Sequence, residues 1–378
     1  MIPRSIYSSE HEDFRKQVGR FVEKELMPHR EDWEKEKRVD KKFWRRAGEL
    51  GFLCTSMPEQ YGGGGADFRY EAVMIEEFAR QGLSGPGFSL HNNIVAPYIL
   101  HYGSEEQKKT WLPKMAKGEV VTAIAMTEPG TGSDLQNVKT TAVRDGNELV
   151  VRGQKTFITN GQNCDLVIVV AKTDPKGGAK GTTLVLVETE REGFRRGRNL
   201  EKIGLKAQDT SEMFFDDVRV PMTNILGDEG KGFAYLMQEL PRERLTVAVG
   251  SVAACEGALA WTLDYTRQRK AFGRAVAEFQ NSRFVLADLK TEITIGRVFV
   301  DRCIDLLAQE KLDVETAAMA KLWTTELQAR VMDKCLQLHG GYGFMWEYPI
   351  ARAYVDARIT RIFAGTNEIM REIISRSL

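Results

Sequence analysis

At 378 residues, with 42% hydrophobic and 28% charged side chains, the chain is long enough to bury core for two or three domains and is neither disordered nor fibrous. Its 53 Lys and Arg balance 53 Asp and Glu to a formal net charge of zero, without the basic excess expected of a nucleic-acid binder. The longest wholly apolar run, Leu166–Ala171, falls far short of the ~20 residues that cross a bilayer, so no membrane span is expected.

Residues 1–122 read as a helical zone, with Phe14, Val18, Phe21, Val22 and Leu26 at helix spacing and glycine or proline clusters at Met57–Gly65 and Gly82–Gly87. The N-terminus carries acids and no apolar stretch of the signal-peptide kind. Residues 123–226 change character. Thr140–Arg144, Asp145-Gly146-Asn147 and Glu148–Arg152 spell a hairpin, and Leu166–Lys172, Thr183–Glu188 and Glu212–Val220 are further strands, which predicts a small antiparallel barrel or sandwich. In residues 227–378 no proline falls between Pro241 and Pro349, so long helices are permitted. Leu286, Leu289, Ile293, Gly296, Val300, Cys303 and Leu307 form a seam at spacings of three and four, facing Ala320, Trp323, Leu327 and Val331. The fold class is therefore α+β, ordered as a helical domain, a β domain and a C-terminal four-helix bundle.

Cys54, Cys164, Cys255, Cys303 and Cys335 are scattered without a CxxC pair and suit reduced thiols of a cytoplasmic protein. The histidines form neither HxxxH nor HExxH, so no metal site is expected. Gly62–Gly65 lacks the Lys-Ser or Lys-Thr of a P-loop, and neither Gly130-Thr-Gly132 nor Gly341-Tyr-Gly343 completes a dinucleotide-binding fingerprint.

Several segments carry a more specific signal: Ile124-Ala-Met-Thr-Glu-Pro-Gly-Thr-Gly-Ser133-Asp134, Phe157-Ile-Thr-Asn-Gly161, Arg269-Lys-Ala-Phe-Gly273, Phe279-Gln280, Gln337–Pro349 and Arg361–Ile369. In this order, on an α–β–α layout, the chain resembles the acyl-CoA dehydrogenase family over essentially its whole length. The resemblance implies FAD between the β domain and the bundle, an acyl-CoA thioester against the flavin, and electron-transfer flavoprotein as acceptor. It also implies a homotetramer built as a dimer of dimers, and a role in fatty-acid or branched-acyl breakdown. It assigns Ile124, Met126, Thr127, Gly132, Ser133, Phe157, Ile158 and Thr159 to the flavin. Arg269, Phe272, Gln280, Gln337, Leu338, Gly340 and Gly341 would reach a neighbouring subunit's cofactor, with Thr366 and Glu368 as further contacts. Ser133, Arg244, Phe363 and Gly365 would meet substrate.

The reaction takes a proton from Cα and a hydride from Cβ of the thioester, so it needs a base and a polarised carbonyl. Many members carry the base in a Glu-Gly-Thr segment, where this chain has Ala364-Gly365-Thr366; the N–H of Ala364 would still serve the thioester carbonyl. The long-chain and isovaleryl subgroup resembles this chain instead, placing its glutamate just before an Arg-Leu pair, as in Pro241-Arg242-Glu243-Arg244-Leu245. That implies Glu243 as base. The residue pattern alone does not separate Glu243 from Glu239, and a glutamate between arginines near a helix start is ordinarily a surface ion pair. Two rival readings stand beside this one: a non-catalytic flavin-bearing scaffold or assembly protein, motivated by Ala364, and an oxygen-using acyl-CoA oxidase-like flavoenzyme.

Overall fold

In the computed structural model, which describes residues 2–378, the first zone is built from α1 (Ser9–Phe21), α2 (Arg30–Glu36), α3 (Lys41–Glu49), α4 (Phe68–Arg80), α5 (Ala96–Tyr102) and α6 (Glu105–Ala116). Short polar side chains set where several of these begin. Asp40 and Asp67 accept backbone N–H bonds from Lys42 and Arg69. Ser104 and Gln107 satisfy each other's backbone N–H groups in a capping box. Phe21, Trp33, Trp44, Phe52 and Phe88 fill the core of this zone.

The middle zone holds β1 (Thr122–Ala125), β2 (Thr141–Asp145), β3 (Glu148–Thr159), β4 (Leu166–Lys172), β5 (Thr182–Glu188), β6 (Phe194–Asn199), β7 (Thr210–Pro221) and β8 (Ile225–Leu226). These form one sheet in the order β6-β7-β3-β2-β4-β5-β8, with β1 added beside β4. The expected hairpin is present, Asp145 pairing with Glu148 around Gly146, whose φ of +62° a tight turn requires. The sheet is not purely antiparallel: β1 and β2 both run parallel to β4. The reason lies in burial. Leu166, Ile168 and Val170 of β4 face Tyr98, Ile99 and Leu112 of the first zone, while Val167, Val169 and Ala171 cluster with Leu149 and Val151 of β3 and Met213 and Phe215 of β7. A strand buried on both faces takes continuous apolar sequence and parallel neighbours.

The last zone contains α7 (Gly232–Gln268), the short strands β9 (Lys270–Ala271) and β10 (Arg274–Ala275), α8 (Gln280–Ala308), α9 (Val314–His339), α10 (Pro349–Ala357) and α11 (Asn367–Ser375). Three long helices pack together, and the fourth position is shared by two short ones. Every seam residue expected on α8 is buried except Leu307, which is half-buried; opposite it on α9, Ala320, Leu327 and Val331 are buried but Trp323 stands largely exposed.

One boundary differs from expectation. α7 does not begin near Pro241 but nine residues earlier, and runs straight through the proline. A proline inside a helix forfeits one backbone bond, a loss that packing offsets here: Pro241 is buried, and α7 lies against both α4 and α9. At Gly257 the approach to α4 is so close that a Cβ would strike the Arg80 carbonyl. By length and composition α7 could cross a membrane, but 67% of its apolar window is buried inside the protein, so it is the spine of the fold.

Candidate active site

Arg242, Glu243 and Arg244 lie a third of a turn apart on α7, and so face three different neighbours. Arg242 turns to α4, donating to Glu71 Oε2 at 2.5 Å and to Ser56 Oγ at 3.2 Å. Glu243 is only 4% exposed and turns to α5, where the Tyr98 hydroxyl donates to its Oε1 at 3.0 Å. Among the described residues it has no ion pair. Burial pushes its carboxyl up to about 7; the Tyr98 hydroxyl and Arg244 pull it down, and the charge of Glu239 pushes it further up. Glu243 is thus not the surface ion pair that its neighbours in sequence suggested. Nor is it near a helix start.

Arg244 is buried with its Nε unpartnered, and burial lowers its proton affinity. Its Nη2 lies 4.0 Å from where a Cβ on Gly365 would stand, which brings the α7 segment against the Ala364-Gly365 loop. That loop is held tightly. Ala364 has φ +53° and Gly365 φ +89°. The left-handed conformation costs a non-glycine residue about 1 kcal/mol. The buried Lys321 on α9 offsets it by donating to the Gly365 carbonyl at 2.7 Å and to Asn367 Oδ1 at 2.9 Å. Asn367 in turn donates to Thr325 Oγ1 at 3.0 Å and to Glu326 Oε1 at 2.8 Å. Phe363 is exposed beside the loop. Thr366 caps α11 by accepting the Ile369 N–H, and Glu368 points to solvent in its first turn.

A second group gathers at the end of β1. Ile124 is buried, while Met126 and Thr127 are half-exposed. The β3–β7 pairing shifts register between Lys155 and Ile158, and in that bulge Phe157 takes φ +61° and is thrown outward, 67% exposed. The same bulge lets the Thr156 N–H donate to the Thr127 carbonyl at 2.9 Å, so Met126, Thr127 and Phe157 are neighbours. Ile158 is buried under them and Thr159 is half-buried. Beneath this face the Lys155 ammonium, fully buried, reaches Glu128 Oε1 at 2.8 Å, the Met126 carbonyl at 3.0 Å and the Val170 carbonyl at 2.7 Å. Glu128 also accepts the N–H groups of Lys139 and Thr140, pinning the loop that exposes Gly132 and Ser133.

The third group is separate. Arg269, Gln337, Leu338, Gly340 and Gly341 line one open cavity of about 550 Å³ with Tyr265, His339 and Tyr342, and no residue of the other two groups is on its wall. A Cβ at Gly340 or Gly341 would meet nothing within 4 Å. Arg269 lies over the Tyr342 ring, 5.6 Å from its centroid, with no carboxylate partner among the described residues. Phe272 at the β9–β10 tip is 96% exposed with φ +51°, and Gln280 is exposed at the start of α8. An unpaired guanidinium beside bare glycine backbone fits a pyrophosphate, and the bare Phe157 ring beside half-exposed Met126 and Thr127 fits the flat end of a flavin dinucleotide.

Tyr98, Lys321 and the Lys155–Glu128 pair were not read from sequence. For Lys321 a signal exists, a lysine on the apolar face of α9 between Ala317 and Thr324. For Tyr98 there is none, since only the tertiary fold brings α5 to α7.

Comparison with known proteins follows the same lines. The acyl-CoA dehydrogenase N-terminal, middle and C-terminal domain families match residues 8–119, 123–218 and 230–378. The chain is 52% identical to the mitochondrial long-chain specific acyl-CoA dehydrogenase of Sus scrofa, covering 99% of this chain and 88% of that one. It is similar to the crystal structure of an acyl-CoA dehydrogenase from Geobacillus kaustophilus, with a TM-score of 0.97 at 51% identity over 99% of both chains. A glutaryl-CoA dehydrogenase from Mycobacterium smegmatis in complex with FADH2 superposes with a TM-score of 0.92 at 28% identity, covering 98% of this chain and 95% of that one.

Proposed function

The chain belongs to the acyl-CoA dehydrogenase family, and we propose that within it the chain converts a long-chain or branched acyl-CoA to its trans-2-enoyl-CoA with Glu243 as the base. It is an FAD-dependent oxidoreductase of the β-oxidation type. The observation that carries the choice of base is the pairing of two facts: no carboxylate stands at 364, and the buried Glu243 is the chain neighbour of Arg244, whose Nη2 lies 4.0 Å from where a Cβ on Gly365 would stand. A carboxylate poised near 7 is matched to proton abstraction at neutral pH, where one near 4 would be too weak a base.

FAD, when bound, supplies the hydride acceptor. Met126, Thr127, Phe157 and Thr159 would hold its flavin end, with Gly132 and Ser133 on the phosphate side. Arg269, Gln337, Gly340 and Gly341 of a second subunit would hold its pyrophosphate and nucleotide. Glu243 takes the α-proton on its carboxylate. The N–H of Ala364, aimed by the strained loop that Lys321 secures, donates to the thioester carbonyl as negative charge grows there. Arg244, a buried cation with a free Nε, adds positive potential at the same place. Phe363 and Gly365 would border the acyl group.

Three finer points belong to the same proposal. The long-chain relative supports a long acyl chain. Electron-transfer flavoprotein is the expected acceptor. A homotetramer, a dimer of dimers, is supported by the exposed Ile295 on α8, Trp323 on α9, Phe272 at the β9–β10 tip and Phe344 in the turn after α9, apolar surface that a free subunit would leave wet. All five cysteines are free and buried, which supports a reducing compartment such as the cytoplasm.

The test is anaerobic mixing of the flavin-loaded protein with butyryl-, octanoyl-, palmitoyl- and isovaleryl-CoA, following flavin absorption. The wild-type protein bleaches, fastest with the long or branched thioester, and its second-order rate rises with pH through a midpoint near 7. Glu243→Gln retains FAD and binds the thioesters without bleaching. Rapid bleaching by that variant overturns the assignment.

A further inference from the structure

α5 and α7 meet through two matching contacts. Tyr98 and Tyr102 are one turn apart on α5, and Glu243 and Glu239 are one turn apart on α7. The Tyr98 hydroxyl donates to Glu243 at 3.0 Å, and the Tyr102 hydroxyl donates to Glu239 at 3.0 Å, so the helices pair in opposite senses like two rungs of a ladder. The inner rung is closed, with Tyr98 and Glu243 both buried. The outer rung opens to water. His101 Nδ1 lies 2.7 Å from Glu239 Oε1, and the His101 side chain is 47% exposed. Tyr102 shares its one hydroxyl proton with Gln238 Oε1, at 2.9 Å, and stacks on Tyr235 at 4.0 Å between centroids.

Two carboxylates a helical turn apart in a poorly solvated place disfavour each other's ionisation. Glu239 Oε1 lies within hydrogen-bond distance of the Tyr102 hydroxyl and His101 Nδ1, and the charge of Glu239 falls on Glu243. The Tyr98 hydroxyl acts the other way, because a donor stabilises the ionised form. The remaining charges around Glu243 are known. Arg244 is adjacent on α7, the Lys321 ammonium of α9 lies beyond it, and Arg242 is turned away and neutralised by Glu71 of α4. Neither Arg244 nor Lys321 approaches Glu239 in any hydrogen bond or ion pair among the described residues.

We propose that Glu239, with His101 as its solvent-facing partner, is a positioning residue that sets the pH at which Glu243 is ready to take a proton, against the opposing pull of Tyr98. This rests on the reading of Glu243 as the base. Glu239 touches no reacting atom; it acts through the field it imposes one turn away. A hydrogen bond from His101 Nδ1 to Glu239 Oε1 draws that field toward the solvent side.

The experiment is the pH profile of the second-order rate of flavin bleaching, measured on flavin-loaded protein with whichever of the four thioesters above reacts fastest. Glu239→Gln moves the acid limb to lower pH by about one pH unit, while Tyr98→Phe moves it to higher pH by a similar amount. His101→Asn moves it to higher pH by less. A structural role for Glu239 would lower the rate at every pH without moving the limb, and that result overturns the proposal, as does movement of the Glu239→Gln and Tyr98→Phe limbs in one direction. Should Glu239→Gln fail to fold with its flavin, the exposed His101→Asn carries the test, and an unmoved limb there is again decisive against it. Glu243→Gln separates the two levels: if it still bleaches, the base is elsewhere; if it does not and the limb of Glu239→Gln stays put, only the ladder falls.

Discussion

Around Glu243 the chain meets almost every polar group from within itself, whereas around Arg269 it meets hardly any. On the first side Tyr98 bonds the carboxylate, Glu71 takes Arg242, and Lys321 with Asn367 locks the left-handed turn at Ala364 and Gly365. On the second, Arg269 faces only an aromatic ring, Phe272 stands in solvent, and the glycines at 340 and 341 border open space. The difference teaches which part of the proposed chemistry one subunit would own. Proton removal needs a base held to within fractions of an ångström, and the fold pays for that locally. On the proposed function, cofactor binding on the Arg269 side would be left for another surface to complete.

The sharpest way to break this division is the proposed base. Glu243→Gln keeps the shape and the Tyr98 neighbour but cannot take a proton, so flavin bleaching in stopped flow should fall by about 10³-fold or more, with FAD content unchanged. Next in size is the β-domain pin. Lys155→Met leaves the buried Glu128 carboxylate facing an apolar chain, and breaking a buried pair in this way costs about 3–5 kcal/mol. Denaturant unfolding should show that loss, together with weaker FAD retention, because the Met126 carbonyl and the loop bearing Ser133 lose their common anchor. Lys321→Met comes third. It strands the Gly365 carbonyl at a cost of about 1–3 kcal/mol, and bleaching should slow by about tenfold while FAD stays bound. If Lys321→Met lost FAD instead, the loop would belong to the cofactor side of the comparison.

Much of the architecture could be read from residue patterns because it depends on local periodicity. The seam on α8, the Gly146 turn and the doubly buried run at β4 are each written in consecutive residues. The start of α7 was not, because Pro241 is a strong local breaker whose cost is offset only by packing against α4 and α9. The candidate site divides in the same manner. Arg269, Gln337, Gly340 and Gly341 lie in short segments and line one cavity, whereas Phe272 and Gln280 of the same expected group are not on its wall. Tyr98 and Lys321 act across 145 and 44 residues of chain; the lysine leaves a trace on the apolar face of α9, but no pattern in sequence announces the meeting of Tyr98 with Glu243. Glu239 and Glu243 looked alike in sequence. They became distinct only when one proved to be bonded by the half-exposed His101 and the other by the buried Tyr98.

On the open side the effects should be smaller in the subunit and larger in the assembly. Arg269→Ala removes no ion pair, so the stability of the isolated fold should scarcely change; loss of a charge-assisted bond to a phosphate should weaken FAD retention by about tenfold or more, measured by flavin release on dilution. Phe272→Ser sets the limit of the comparison. The ring is 96% exposed and caps a two-stranded tip whose backbone already turns through φ +51°. A substitution there should shift unfolding by no more than about 0.5 kcal/mol, since no buried contact is lost. If that surface is covered in the assembled protein, the same substitution should still shift the sedimentation profile toward smaller species and loosen FAD in step. A variant that unfolds early while its assembly is intact would mean that Phe272 serves the subunit's own fold, and the second half of the site would then have to be sought elsewhere on the C-terminal helices.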